Sequence, residues 1–156
     1  LCAMDVSYMT RWKLTLEYDG QPFVGWQRQD NGPSVQAALE RAVMSFCGEP
    51  ATLFGAGRTD AGVHATAQVA HVDIAKDASA DTVRDAINFH LKPDPIAVLS
   101  AEAVDEDFHS RFSATTRHYR YRILNRRAPA AIDRGRVWHV GVALDPAAMH
   151  AAAQHL

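Results

Sequence analysis

Cysteine is scarce in this chain: Cys2 and Cys47 are the two in 156 residues. They form no C-x-x-C pair and stand in no Cys/His cluster at zinc spacing, so neither a disulfide framework nor a structural zinc site is indicated. Cys47 closes an apolar helical pattern and reads as a buried free thiol, which fits a reducing, cytoplasmic compartment. No run of 18 apolar residues exists, which excludes a transmembrane helix, and no membrane partner is expected. The first ten residues, LCAMDVSYMT, lack the cationic start and apolar run of a signal peptide. They read as a loosely ordered leader, and a start at Leu1 suggests that earlier residues are missing. Lysine is rare as well, at three residues against thirteen arginines. The glycine-rich stretch near residue 57 has neither the G-x-x-x-x-G-K-[ST] nor the G-x-G-x-x-G order, so it is not a nucleotide phosphate loop. Internal repeats and low-complexity tracts are absent.

What is present is ordinary globular material, 47% hydrophobic and 22% charged, enough for one domain with a real core. The net charge of -2 does not advertise a nucleic-acid binder, but its distribution is uneven. Arginines 111, 117, 120, 122, 126, 127, 134 and 136 crowd one segment against a single acid, Asp133. The guanidinium fork suits bidentate contact with phosphate oxygens, so the segment reads either as an anion-binding surface or as a solvated basic face.

Periodicity orders the chain. Trp12, Leu14, Leu16 and Tyr18 alternate with Lys13, Thr15 and Glu17, which predicts a strand with one covered face, ended by the Asp19-Gly20 turn. Ser34 is placed to cap a helix whose apolar stripe is Val35, Leu39, Ala42, Val43 and Phe46 and which Gly48 and Pro50 end. A short strand is expected at 52–54, a loop at 55–65 and a strand at 69–74. A second helix at 80–91 carries Val83, Ile87 and Leu91, and a strand follows at 96–104. Residues 118–125 alternate cleanly and predict a strand with Tyr119, Tyr121 and Ile123 on one face. A strand at 137–140 precedes a helix opened by Asp145 and Pro146, in which the chain stops, so a continuation past Leu156 is expected. The order predicts an α+β fold, a split β-α-β (ferredoxin-like) antiparallel sheet with helices on one face. The expected division is a leader at 1–10, an α+β domain at 11–125, and a connection with the start of a second domain at 126–156.

The run from Gly55 to Ala65, GAGRTDAGVHA, carries the most chemistry. Three glycines open backbone paths that side chains would obstruct. Arg58 and Asp60 are two residues apart, so a tight loop can set a guanidinium beside a carboxylate and favour its ionised form, the state in which a carboxylate is a nucleophile. The same pair equally suits a turn held by a salt bridge. His64 can donate to a substrate or fix the loop. Tyr119 and Tyr121 suit a core, or a stacking platform for a nucleobase between phosphate-binding arginines.

At these residues the chain closely resembles the transfer-RNA pseudouridine synthase family TruA. The matching pieces are LEYDGQPFVGWQRQ (16–29), SVQAALERA (34–42), GAGRTDAGVHATAQVAH (55–71) and DFHSRFSATTRHYRYRI (107–123), with Asn125 shortly after. The resemblance runs from Trp12 to Leu156 and implies the N-terminal portion of a longer isomerase that converts uridines 38 to 40 of the anticodon stem-loop to pseudouridine. It implies Asp60 as the catalytic aspartate, Arg58 as its neighbour that opens the RNA stack or pairs with it, and Tyr119 packed on the target base. His64, Gln68, Trp26, Gln27 and Arg28 are then expected to be cleft or RNA-facing, with Arg111, Arg117, Arg120 and Arg122 along the RNA backbone. The resemblance implies no metal and no organic cofactor, transfer RNA as partner, and a homodimer. It also implies that this stretch alone has little turnover. Rival readings are a catalytically silent RNA-binding module, a pseudouridine synthase of other RNA specificity, and a small-molecule enzyme built on the Arg-Asp loop.

Overall fold

The computed structural model describes residues 9–155, so the expected leader falls almost wholly outside the described residues, as does Cys2. The chain divides into two compact units, one ending at Arg117 and the other beginning at His118. The division falls ahead of the boundary expected after residue 125.

In the first unit the elements run β1 (Thr10–Tyr18), α1 (Val35–Cys47), β2 (Phe54–Gly55), β3 (Ala65–Ile74), α2 (Ala80–Leu91) and β4 (Ile96–Val104). The four strands form one sheet in the order β2-β3-β1-β4, with every neighbouring pair antiparallel. This is the split β-α-β arrangement that the sequence predicts. Trp12, Leu14, Leu16 and Tyr18 face inward with Ala70, Val72, Ile74 and Val98, and meet Val35, Leu39 and Val43 of α1 and Val83, Ile87 and Leu91 of α2 in one core. Ser34 caps α1 by accepting from the amide of Ala37 at 3.2 Å, and Gly48 ends it in a left-handed turn at φ 82°. Ser79 does the same for α2, accepting from Thr82 at 3.2 Å. Cys47 is a free, half-buried thiol whose Sγ lies 3.2 Å from the carbonyl of Glu49.

Two polar residues on α1 are buried with the stripe, Gln36 and Glu40, each 8% exposed. Helical spacing of four sets them one above the other. Gln36 donates to the carbonyl of Leu53 at 2.9 Å, and its oxygen accepts from the Arg28 amide at 2.9 Å and from Gln27 at 2.8 Å. Glu40 accepts from the Leu53 amide at 3.0 Å and pairs with the Arg28 guanidinium. Both backbone groups of Leu53 are thereby satisfied by helix side chains, and the approach to β2 is fixed without a further strand.

On the opposite face of the sheet Arg11 pairs with Asp73 at 2.7 Å and Lys13 with Glu102 at 2.6 Å. The Arg11 hydrogen bond, with its charge, holds the Asp73 carboxyl below its ordinary range. A strap, residues 105–117, crosses this face. Arg11 donates to the carbonyls of Glu106 and Phe108. Ser110 donates through its hydroxyl to the Phe54 carbonyl at 2.7 Å and through its amide to Nδ1 of the buried His71 at 3.1 Å.

The second unit holds β5 (Ile123–Asn125) and β6 (Trp138–Val140), paired in parallel, and α3 (Pro146–Ala153). Asp145 caps α3, accepting from Ala147 at 2.9 Å and Ala148 at 3.1 Å. Asn125 stitches the unit, donating to Val140 at 2.9 Å and Val142 at 2.5 Å and accepting from the Leu144 amide at 3.1 Å. The expected strand at 118–125 is realised only over Ile123–Asn125. β6 offers three residues to pair with, and among the described residues no strand runs beside 118–122 to complete a ladder.

Candidate active site

The loop between β2 and β3 presents Asp60. Its backbone is tied from several sides. The Ala56 amide donates to Val69 at 2.7 Å as the β2–β3 ladder ends. The Ala56 carbonyl accepts from Nε and a terminal nitrogen of Arg117, at 3.1 and 2.8 Å. Gln68 donates to the Gly57 carbonyl at 2.8 Å, and the Trp26 amide donates to the Thr59 carbonyl at 2.9 Å. The Thr59 hydroxyl lies 2.9 Å from the hydroxyl of Tyr18 at the end of β1. Burial pushes that Tyr18 hydroxyl above its ordinary range, while the hydrogen bonds to Thr59 and Gln68 act the other way. Tyr18 is therefore a neutral group suited to donating.

Close approach of neighbouring turns completes the frame. A Cβ at Gly25, which holds φ +125°, would stand 2.7 Å from the Thr59 carbonyl oxygen. One at Gly20 would stand 2.0 Å from the carbonyl oxygen of Val63. Nδ1 of His64 accepts from the Gly20 amide at 3.1 Å and lies 3.1 Å from an Asp19 carboxylate oxygen. A ring with its proton on Nε2 accepts from Gly20, and one protonated at Nδ1 donates to Asp19. In either state His64 fixes the loop to the β1 turn, the second of the two roles its position suggests.

Against this fixed backbone, the side chains of Arg58 and Asp60 are both exposed. Within the described residues they form no ion pair with each other. The turn is thus held by hydrogen bonds to its backbone, and neither the expected guanidinium set beside the carboxylate nor a turn closed by an Arg58-Asp60 salt bridge is what the structure adopts. The carboxylate is left to solvent.

The remaining candidates separate. Gln68 and His64 belong to the frame, and Gln27 and Arg28 stand beside it, tied to Gln36 and Glu40. Trp26, grouped with the RNA-facing positions above, is corrected to a core residue at 2% exposure. Its ring lies beneath Gly55, where a Cβ would stand 2.6 Å from it, and 6.2 Å from the Tyr18 ring. Arg111 is exposed on the strap. Arg117 is exposed too, but its guanidinium is engaged by backbone carbonyls of Ala56 and Arg111. Tyr119, Arg120 and Arg122 belong to the second unit. There Tyr119 is 71% exposed and Tyr121 89%, so neither packs in a core among the described residues. Arg122 stands 3.3 Å from Asp133. Tyr18, Gln36 and Glu40 were not singled out by sequence as functional. Tyr18 reads only as the last inward residue of a strand, and the pattern of α1 counts apolar positions and passes over the polar ones.

A protein-family model described as tRNA pseudouridine synthase matches residues 15–113. The tRNA pseudouridine synthase A of Rhodospirillum centenum is 68% identical over 148 residues, covering 95% of this chain and 60% of the relative. Those of Maricaulis maris and Paramagnetospirillum magneticum are each 64% identical over the same length, with 59% and 58% of the relative covered. The chain thus spans about 60% of the length of the relatives it matches.

Proposed function

Since this chain belongs to the tRNA pseudouridine synthase family, we propose that the protein carrying it converts uridine to pseudouridine in transfer RNA, at positions 38 to 40 of the anticodon stem-loop, with Asp60 as nucleophile. The observation that carries this is a solvent-facing carboxylate at the tip of a loop whose backbone is held on both sides. Such an arrangement places a reactive group accurately at little reorganisation cost.

The reaction breaks the N1–C1' bond, turns the uracil, joins C5 to C1' and transfers the C5 proton away while N1 regains one. Asp60 serves each available route: attack at C1', addition at C6 of the ring, or assistance to elimination from the sugar. The target base leaves its stack at a cost of a few kcal/mol. Arg111, Arg120 and Arg122 offset that cost at the RNA backbone, and Arg58 fills or opens the stack beside the target. The Tyr119 ring packs against the flipped base. The enzyme acts in the cytoplasm as a homodimer, with transfer RNA spanning both subunits.

The test replaces Asp60 in the full-length protein. Asp60→Asn keeps the side-chain shape and removes the charge. Release of tritium from C5-labelled uridine in transfer RNA should be abolished, while retention of the RNA on filters stays within about twofold because no phosphate contact is lost. Turnover by the Asn variant at a wild-type rate overturns the assignment. Binding without turnover by the wild type points instead to a silent RNA-binding module.

A further inference from the structure

We infer that Arg117 is a positioning residue for the Asp60 loop rather than a phosphate ligand. This rests on the reading of Asp60 as nucleophile. Nε and one terminal nitrogen of Arg117 converge on the single carbonyl of Ala56, at 3.1 and 2.8 Å, and that terminal nitrogen also reaches the Arg111 carbonyl at 3.1 Å. Forked donation of this kind needs a planar guanidinium, and an ammonium cannot reproduce it. The Gly57 position fits the same stem, since a Cβ there would lie 3.5 Å from Arg117 Nε.

The strap that delivers Arg117 is itself anchored at each step. Arg11 holds the carbonyl of Phe108 at 3.1 Å, and the Ser110 hydroxyl holds that of Phe54 at 2.7 Å. Ser110 and Arg117 therefore grip carbonyls two residues apart, at Phe54 and Ala56, on the way into the loop. The Ala56 amide is taken by Val69 at 2.7 Å. Ala56 is thus fixed through both backbone groups, four residues ahead of Asp60. The direction in which Asp60 leaves the sheet is set here, and Arg117 is the side-chain contribution at Ala56, between those of Ser110 at Phe54 and Gln68 at Gly57. Three of the five N–H donors of this guanidinium go to these two carbonyls, so its plane is set by the loop and strap backbones.

Arg117→Lys separates the two roles, because it retains the charge and loses the fork. In the full-length protein, kcat for pseudouridine formation should fall about 100-fold, the scale of a 1 Å misplacement of a reacting group. KM and the salt dependence of transfer-RNA binding should stay at wild-type values. In the same full-length protein, exchange of the hydrogen-bonded loop amides of Ala56, Gly62 and Val63 should quicken roughly tenfold in the Lys variant, as expected for loss of charge-assisted hydrogen bonds. The exchange measurement does not depend on activity, so it separates failure of this inference from failure of the Asp60 assignment. Unchanged exchange in the loop overturns the inference whatever Asp60 does. So does an Arg117→Lys enzyme with full kcat, or an Arg117→Ala enzyme whose loss lies in KM and in a salt slope shallower by about one.

Discussion

Replacing Gln36 by leucine tests whether α1 organises the approach to the Asp60 loop through polar contacts. The two side chains are of similar size, so no large cavity opens and the effect comes from hydrogen bonding. The substitution removes a donor from the Leu53 carbonyl and an acceptor from the Arg28 and Gln27 nitrogens, at 2.9, 2.9 and 2.8 Å. The Leu53 carbonyl belongs to a residue with 0% exposure and cannot turn to water, so the full penalty of about 1–3 kcal/mol for an orphaned buried group applies there. The Arg28 amide is partly accessible and adds about 1 kcal/mol. The Gln27 side chain can rotate outward and adds little. Leucine regains roughly 1 kcal/mol through added apolar burial. The net expectation is a loss of about 1–3 kcal/mol. Urea unfolding followed by tryptophan fluorescence reads this directly: Trp12 and Trp26 are buried and shift on unfolding, whereas Trp138 is already exposed. The midpoint should fall without a change in slope. Gln36→Glu should be worse at neutral pH, because it sets a second carboxylate one turn from Glu40 and points an acceptor at the Leu53 carbonyl. A Gln36→Leu chain within about 0.5 kcal/mol of wild type, the range of an ordinary surface change, refutes the reasoning.

Gly25→Ala places a methyl 2.7 Å from the Thr59 carbonyl at a backbone angle of φ +125°. The expected cost is about 2 kcal/mol or more, read as a lowered Tm with faster exchange of the Trp26 amide, and an unshifted Tm counts against the close packing of these turns. His71 supplies a pH effect. Burial first, then the charges of His109 and Arg11, lower its pKa from the ordinary 6.5, with Asp73 acting the other way. The unfolded chain then binds the proton more readily than the folded one. The contribution is fully present above pH 6.5 and is lost as pH falls through the lower folded value. Between pH 7 and pH 5 the wild-type Tm should drop more than that of His71→Gln, and parallel curves would show that His71 does not carry the dependence.

The sheet and its helices were readable because local signals and tertiary packing agree. Alternation from Trp12 to Tyr18, the cap at Ser34, and Asp145 before Pro146 each state a local preference that the fold obeys. The alternation at 118–122 misleads for a physical reason: period two is a property of side-chain placement, and a strand exists only where a neighbour accepts its hydrogen bonds. β3 begins at Ala65 instead of Val69 for the converse reason, since Tyr18 at the end of β1 pairs with Ala65 and prolongs it. Asp60 was legible as a motif, but its uncommitted state was not, because the spacing of Arg58 permits a pair without requiring one. Trp26 lies in a stretch without period, and its burial beneath Gly55 shows that it is core. Arg117 looks like any other cation in a basic run until its carbonyl partners are seen.

The turns that carry Gly20 and Gly25 and the loop that carries Asp60 touch backbone to backbone, with no room for even a methyl group between them. Segments mated this closely cannot lengthen or shorten independently, because one inserted residue in either would pull the Trp26 amide from the Thr59 carbonyl. Diversification at this corner of the protein is therefore confined to exchanging side chains that point outward, such as those at 58 and 61. Laboratory evolution toward another target base should accordingly yield substitutions at such positions and almost no insertions or deletions across 20–26 or 56–64.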